Sequence, residues 1–190
     1  MATPKLPFQA EEALAFARRV LKEALVGHPP PPPPESWQIR PSGGVFTTLR
    51  TRENHRLRGC MGVLDPELPL GEKLVRATLL AAFHDPRFPP LHPMELDRVQ
   101  MELSFLTPPE PLPSDVAGRV ASVRIGTDGL ILTHGHHRGL LLPEVPMEMG
   151  WTDPVQFLEA LARKAGLPPD AWKDPEARLE RFQAVVFREA

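Results

Sequence analysis

Residues 28–35 read HPPPPPPE. Six successive prolines offer no backbone N–H and hold φ near −65°, so they can neither extend a helix nor sit inside a sheet. They form a stiff, extended polyproline loop. Any helix upstream must end before His28. Upstream, QAEEALAFARRVLKEALV (9–26) places Leu14, Ala17, Val20 or Leu21, and Leu25 at helical spacing, which predicts a helix. The proline run itself reads as a spacer, with a docking segment for a partner as the alternative. Proline makes up 25 of the 190 residues, against a usual ~5%. Most fall in apparent loops, where they reduce the entropy of the unfolded chain. A thermophilic source fits that composition.

Downstream, GGVFTTLRTRENHRLRGCMGV (43–63) reads as a β-hairpin around a polar centre. LGEKLVRATLLAAF (70–83) reads as a second helix, and HDPRFPPLHPMELDRV as a proline-punctuated loop. QMELSFLT (100–107) alternates as a strand does. SVRIGTDGLILTHGHHRGLLL (122–142) reads as strands with two tight turns. DPVQFLEALARKAGL (153–167) is a helix with an Asp-Pro start and a Gly166 stop, and RLERFQAVVF a last strand. Strands and helices mix without regular βαβ alternation and without an internal repeat. The expectation is α+β, a largely antiparallel sheet flanked by helices, in one compact domain over 1–190, in two lobes.

The formal net charge is −2, so no global basic field draws nucleic acid or anionic lipid. No apolar run reaches the ~18 residues of a membrane span. The start of the chain lacks a basic flank followed by an apolar stretch, and one cysteine forms no internal disulfide. Together these predict a cytoplasmic protein.

The one cysteine stands in LRGCMG (57–62). On a strand, Leu57, Gly59, Met61 and Val63 share one face, expected to be buried; Arg58, Cys60 and Gly62 share the other. A nearby guanidinium favours thiolate, so Arg58 is expected to lower the Cys60 pKa. Thr47 or Thr48 should lie across the hairpin. A small buried hydrophobe is the competing reading of the cysteine. Glu102 and Ser104 point off the core. His84, Asp85 and Arg87 read as a cap or loop-anchoring ion pair rather than as catalysts. His134, His136 and His137 could bind a transition metal, but no carboxylate or thiol stands beside them in sequence, and a solvated turn is the expectation. Arg50, Arg52, His55, Arg56 and Arg58 concentrate positive charge, either to hold a phosphate or to keep an exposed ribbon in solution. No Walker, Rossmann or zinc-finger pattern occurs.

LRGCMG, with GVFTTL before it, AAFHDPRFPPL (81–91), MELSFLTPPEP (101–111), RIGTDGLIL (124–132), RGLLLPEV (138–145) and FLEALARKAGLPPDAW (157–172), resembles the AMMECR domain family over about 12–187. The resemblance implies an α+β fold with two subdomains. It implies a site around Cys60 and Glu102 as catalytic groups, with Arg58, Asp85, Arg87, Ser104 and Arg138 binding substrate, and neither metal nor cofactor. Met61 replaces the family's usual isoleucine. Ala162 stands where many relatives carry a second cysteine, which argues against a two-thiol mechanism. The family carries no agreed reaction. Its association with Memo-like and radical S-adenosylmethionine proteins implies such partners. Three functions follow: an enzyme or enzyme subunit using Cys60 and an anion-binding Arg58, a non-catalytic adaptor, or a nucleic-acid-associated regulator using the arginine hairpin. The third suits least a slightly acidic chain without tyrosine.

Overall fold

The structure, a computed structural model, describes residues 6–41 and 43–190. The chain divides into two compact units, Met1–Thr107 with Val185–Ala190 and Pro108–Ala184.

In the first unit, α1 (Ala10–Leu25) buries Leu14, Ala17, Val20 and Leu21 of the predicted stripe, with Ala13 and Phe16 beside them; Leu25 is half-buried. The polyproline loop follows. Its Pro33 lies so close to α2 (Leu70–Phe83) that a Cβ on Gly71 would stand 2.4 Å from the proline Cβ. Pro33 thus packs on α2, while Pro29, Pro30 and Pro32 stay exposed. β1 (Val45–Thr51), β2 (Leu57–Val63), β3 (Val99–Leu106) and β8 (Ala184–Arg188) form a sheet in the order β2-β1-β3-β8. β1 runs antiparallel to both β2 and β3. Val45 and Leu49 of β1, with Val99, Met101, Leu103 and Phe105 of β3, join α1 and α2 in one core. Phe8, Phe16 and Trp37 pack there, with Phe8 and Trp37 ring centroids 4.5 Å apart. Each such ring contributes on the order of 3 kcal/mol by burial. Thr47 is buried on this face, its hydroxyl 3.2 Å from that of Thr78 on α2.

The strand alternation that faces the core on β1 and β3 weakens on β2. Of the four residues expected on its buried face, only Gly59 is buried; Leu57, Met61 and Val63 are half-buried. The reason is position. β2 is the sheet's edge, and α2 packs closest to its backbone where there is no side chain: a Cβ on Gly59 would stand 2.1 Å from the Ala81 carbonyl oxygen.

The second unit holds a sheet ordered β4-β7-β5-β6, from β4 (Glu110–Pro111), β5 (Gly129–His134), β6 (His137–Leu141) and β7 (Arg178–Phe182). α5 (Pro154–Lys164) begins at Asp153, whose side chain accepts from the Val155 N–H, and buries Phe157, Leu158 and Leu161 against Leu130, Leu132 and Leu179. The expected last strand is two strands, β7 and β8, which break at Gln183 and belong to different sheets. Two short helices went unread: α3 (Val116–Ser122) and α4 (Val145–Glu148). α3 lacks a long apolar stripe. It is fixed by the Asp115 cap and by Arg119, a buried guanidinium that donates to the carbonyls of Pro113, Trp172, Asp174 and Ala177. Among the described residues no helix is long and apolar enough to cross a membrane.

Candidate functional site

The β1–β2 register sets Cys60 opposite Thr48, and the β1–β3 register sets Thr48 opposite Glu102. The three form one row across the polar face of the sheet. The Thr48 hydroxyl donates to Cys60 Sγ at 3.3 Å. Arg188 of β8 extends the row, its Nε donating to Glu102 Oε2 at 2.5 Å. Of the two threonines the hairpin could have offered, Thr48 is the neighbour of the thiol; Thr47 faces the core.

Because β2 is an edge strand, the N–H and C=O of Cys60 have no strand to pair with on the outer side. Asp85 and Arg87 take that place. Cys60 N–H donates to Asp85 Oδ2 at 2.9 Å, and Arg87 Nη2 donates to the Cys60 carbonyl at 3.3 Å. The two side chains are locked to one another. Arg87 Nε and backbone N–H reach Asp85 Oδ1 at 2.9 and 3.1 Å, and Nη2 reaches Oδ2 at 2.7 Å. Asp85 is only 4% exposed. The Arg87 hydrogen bonds, against the cost of burial, hold its carboxyl well below the usual carboxylate range. The D-P-R segment is thus a charged clip that completes a sheet edge. The sequence reading of it as a loop-anchoring ion pair holds, and the clip also carries a guanidinium to the thiol.

Arg58 behaves otherwise than expected. The register slips between Leu49 and Arg50, leaving Arg58 as the extra residue of a β-bulge, which re-aims its side chain. Its Nε and Nη2 grip Glu95 at 2.7 and 3.0 Å, and Nη1 donates to the Pro89 carbonyl at 3.0 Å. Arg58 anchors the 84–98 segment. Glu95 also accepts from the His92 N–H at 2.8 Å, and the Arg58 bonds hold its carboxyl below the ordinary value. Glu95 was missed in the sequence. Its signal is a helix-start pattern, His92-Pro93 followed by Glu95 at the third position, which forms a capping box.

The expectation of a lowered Cys60 pKa fails. Burial pushes the thiol up, and the Thr48 hydrogen bond and the Arg87 charge oppose that only in part, while the Asp85 and Glu102 charges add to it. The guanidinium that favours thiolate is that of Arg87, not Arg58. Arg87 keeps its side chain 53% exposed, and among the described residues nothing accepts from its Nη1.

The other candidates divide. Ser104 shares the polar face with Glu102 and stands opposite Phe46; it is buried, and its hydroxyl has no hydrogen-bond partner among the described residues. Gly62 lets the Phe46 ring lie over the backbone, since a Cβ there would sit 2.4 Å from the ring. Arg138 belongs to the second unit, exposed on β6 opposite Thr133. Of the histidines, His134 Nε2 lies 3.1 Å from Asp174 Oδ2, and His137 Nδ1 lies 3.1 Å from the Ala165 carbonyl. Among the described residues no group of three His, Cys, Asp or Glu side chains is arranged to hold a metal ion.

The AMMECR1 family matches residues 14–187. The chain belongs to the AMMECR1 family. Protein TK0174 of Thermococcus kodakarensis is 42% identical over 187 residues, 94% of this chain and 89% of its own length. Protein MJ0810 of Methanocaldococcus jannaschii is 41% identical over 178 residues, 93% and 88% of the two. The crystal structure of the uncharacterized protein PH0010 from Pyrococcus horikoshii is similar with a TM-score of 0.88 and 38% identity, covering 97% of this chain and 94% of that one. The α+β architecture of this AMMECR1-family chain is therefore matched by a solved structure, and these relatives come from thermophilic archaea.

Proposed function

We propose that the protein is an enzyme, or the substrate-holding subunit of one, whose site is the Cys60–Thr48–Glu102 row with Arg87 as the anion-binding group. The observation that carries this reading is the Arg87 guanidinium: locked by Asp85 and the Cys60 carbonyl, set over the Phe88 ring, half-exposed with no acceptor for Nη1 among the described residues, and charged beside Sγ. A carboxylate or phosphate on Arg87 would set the rest of a substrate against the thiol. Cys60 enters as the protonated thiol, because burial disfavours thiolate. The Thr48 hydroxyl donates to Sγ and so favours the thiolate as it forms, and Glu102, its neighbour in the row, puts a carboxylate on the same face to act as general base. Arg58, engaged by Glu95, positions the strand and does not bind substrate in this reading. Ser104 and Asp85 support the same face.

The test compares two alkylating reagents of like reactivity and opposite character, anionic iodoacetate and neutral iodoacetamide. Cys60 is expected to favour iodoacetate, and Arg87→Ala to abolish the preference. Equal ratios in both proteins would remove Arg87 from the site.

A second reading is favoured by the raised Cys60 pKa and by the internal engagement of Arg58. In it the same face is a non-catalytic docking surface for a Memo-like or radical S-adenosylmethionine protein. Unchanged reagent ratios would move this adaptor reading ahead.

A further inference from the structure

The arginine hairpin borders a cavity that the Cys60 row does not use. Between the β1–β2 turn and the 3-10 turn Pro93–Arg98 lies a space of about 490 Å³, lined among others by Arg52, Glu53, Glu95, Asp97, Arg98 and Val99. That is the size of a small-molecule site. Both walls are held. In the hairpin turn, the Thr51 hydroxyl donates to Asn54 Oδ1 at 2.6 Å and accepts from the Arg56 N–H at 3.1 Å. In the opposite wall, the Glu95 capping box fixes the 3-10 turn. The Arg52 N–H donates to the Arg98 carbonyl at 2.7 Å and ties the walls together. The cavity is therefore preformed.

Its charges do not satisfy one another. Arg52 donates to the Ala190 carbonyl at 2.7 Å and pairs with Glu189, and Glu95 is gripped by Arg58. Three remain: Glu53, Asp97 and Arg98 have no ion pair or side-chain hydrogen bond among the described residues. Two anions and one cation on a single cavity are complementary to two cations and one anion on a ligand. A free basic amino acid has that charge set, with methylenes between the charges; Val99 borders the space from the core side.

We propose that this cavity binds a free basic amino acid, its carboxylate on Arg98 and its two cationic groups on Glu53 and Asp97. The proposal is independent of the Cys60 reading. It is tested by calorimetric titration of the full chain with L-arginine and L-lysine, beside norleucine, which lacks the side-chain cation, and cadaverine, which lacks the carboxylate. Methyl NMR of Val99 reports the location. One of the two basic amino acids is expected to bind and to shift the Val99 methyls. Either truncated analogue, and Arg98→Gln or Asp97→Asn, should weaken binding by about tenfold or more, with thermal melts unchanged. The proposal falls if neither amino acid binds up to about 10 mM, if norleucine or cadaverine binds as well, if the Val99 methyls stay still, or if both variants bind as wild type does.

Discussion

Each unit contains an arginine clasped to a buried aspartate, and the two pairs differ in what they hold. In the second unit Arg124 reaches Asp128 with Nε, Nη2 and its own backbone N–H, at 3.0, 2.7 and 3.1 Å. In the first, Arg87 reaches Asp85 in the same three ways, and Asp85 accepts a fourth bond from Cys60, 25 residues away in sequence. The aspartates are buried in both, and the arginines are 50% and 53% exposed. The Arg124 pair closes its own turn. The Arg87 pair completes a distant strand edge and delivers a charge to a thiol. Identical side-chain chemistry is thus local punctuation in one place and site-building in the other, and the difference lies in the fourth hydrogen bond.

The sharpest way to break that comparison is to delete both carboxylates. Asp85→Ala leaves a buried N–H and a guanidinium without their acceptor and should cost about 3 kcal/mol in denaturant unfolding, against about 2 kcal/mol for Asp128→Ala. Only Asp85→Ala should change Cys60 alkylation. Equal losses with unaltered alkylation in both would erase the distinction. Next in size is Glu95→Gln, which weakens the Arg58 anchor of the same loop and should cost about 1.5 kcal/mol; a neutral result would show that the Asp85 clip holds the loop alone.

The pH dependence follows from sign. Asp85 and Glu95 have folded-state pKa values depressed below their unfolded ones. Their stabilisation is therefore fully present above the unfolded values near ~4 and is lost as pH falls through the folded values. Acid titration of unfolding should show a steep limb below about pH 4, flattened in Asp85→Asn. An unchanged limb in that variant would place the acid sensitivity elsewhere. The smallest effect belongs to Thr48→Val. Removing the donor to Sγ should raise the Cys60 pKa further and shift stability by no more than about 1 kcal/mol, measured by alkylation and melting side by side.

Much of the frame was legible in the sequence because it rests on local rules. The helices 10–25 and 70–83 follow their apolar stripes, and the hairpin flanks its polar turn. Side-chain alternation correctly put Glu102, Ser104 and Cys60 on one face. What was not legible depended on long-range pairing. A β-bulge at Arg58 moves its guanidinium onto Glu95, and no propensity announces a bulge at that residue. The role assigned to Arg58 beside the thiol falls to Arg87, which is distant in sequence and arrives only because β2 is an edge strand. The break at Gln183 escaped for the same reason. RLERFQAVVF is β-rich throughout, and only the assignment of its halves to separate sheets divides it.

The account rests on Arg87, carried by Asp85, being the charge that works on Cys60. The direct measurement is the pH dependence of iodoacetamide alkylation of Cys60 in wild type, Arg87→Ala and Arg124→Ala. The account predicts a wild-type apparent pKa above the ordinary ~8.5 of a free thiol, a higher value in Arg87→Ala, and no change in Arg124→Ala. A wild-type value below ~8.5, or an Arg87→Ala profile that overlays the wild type, would contradict it.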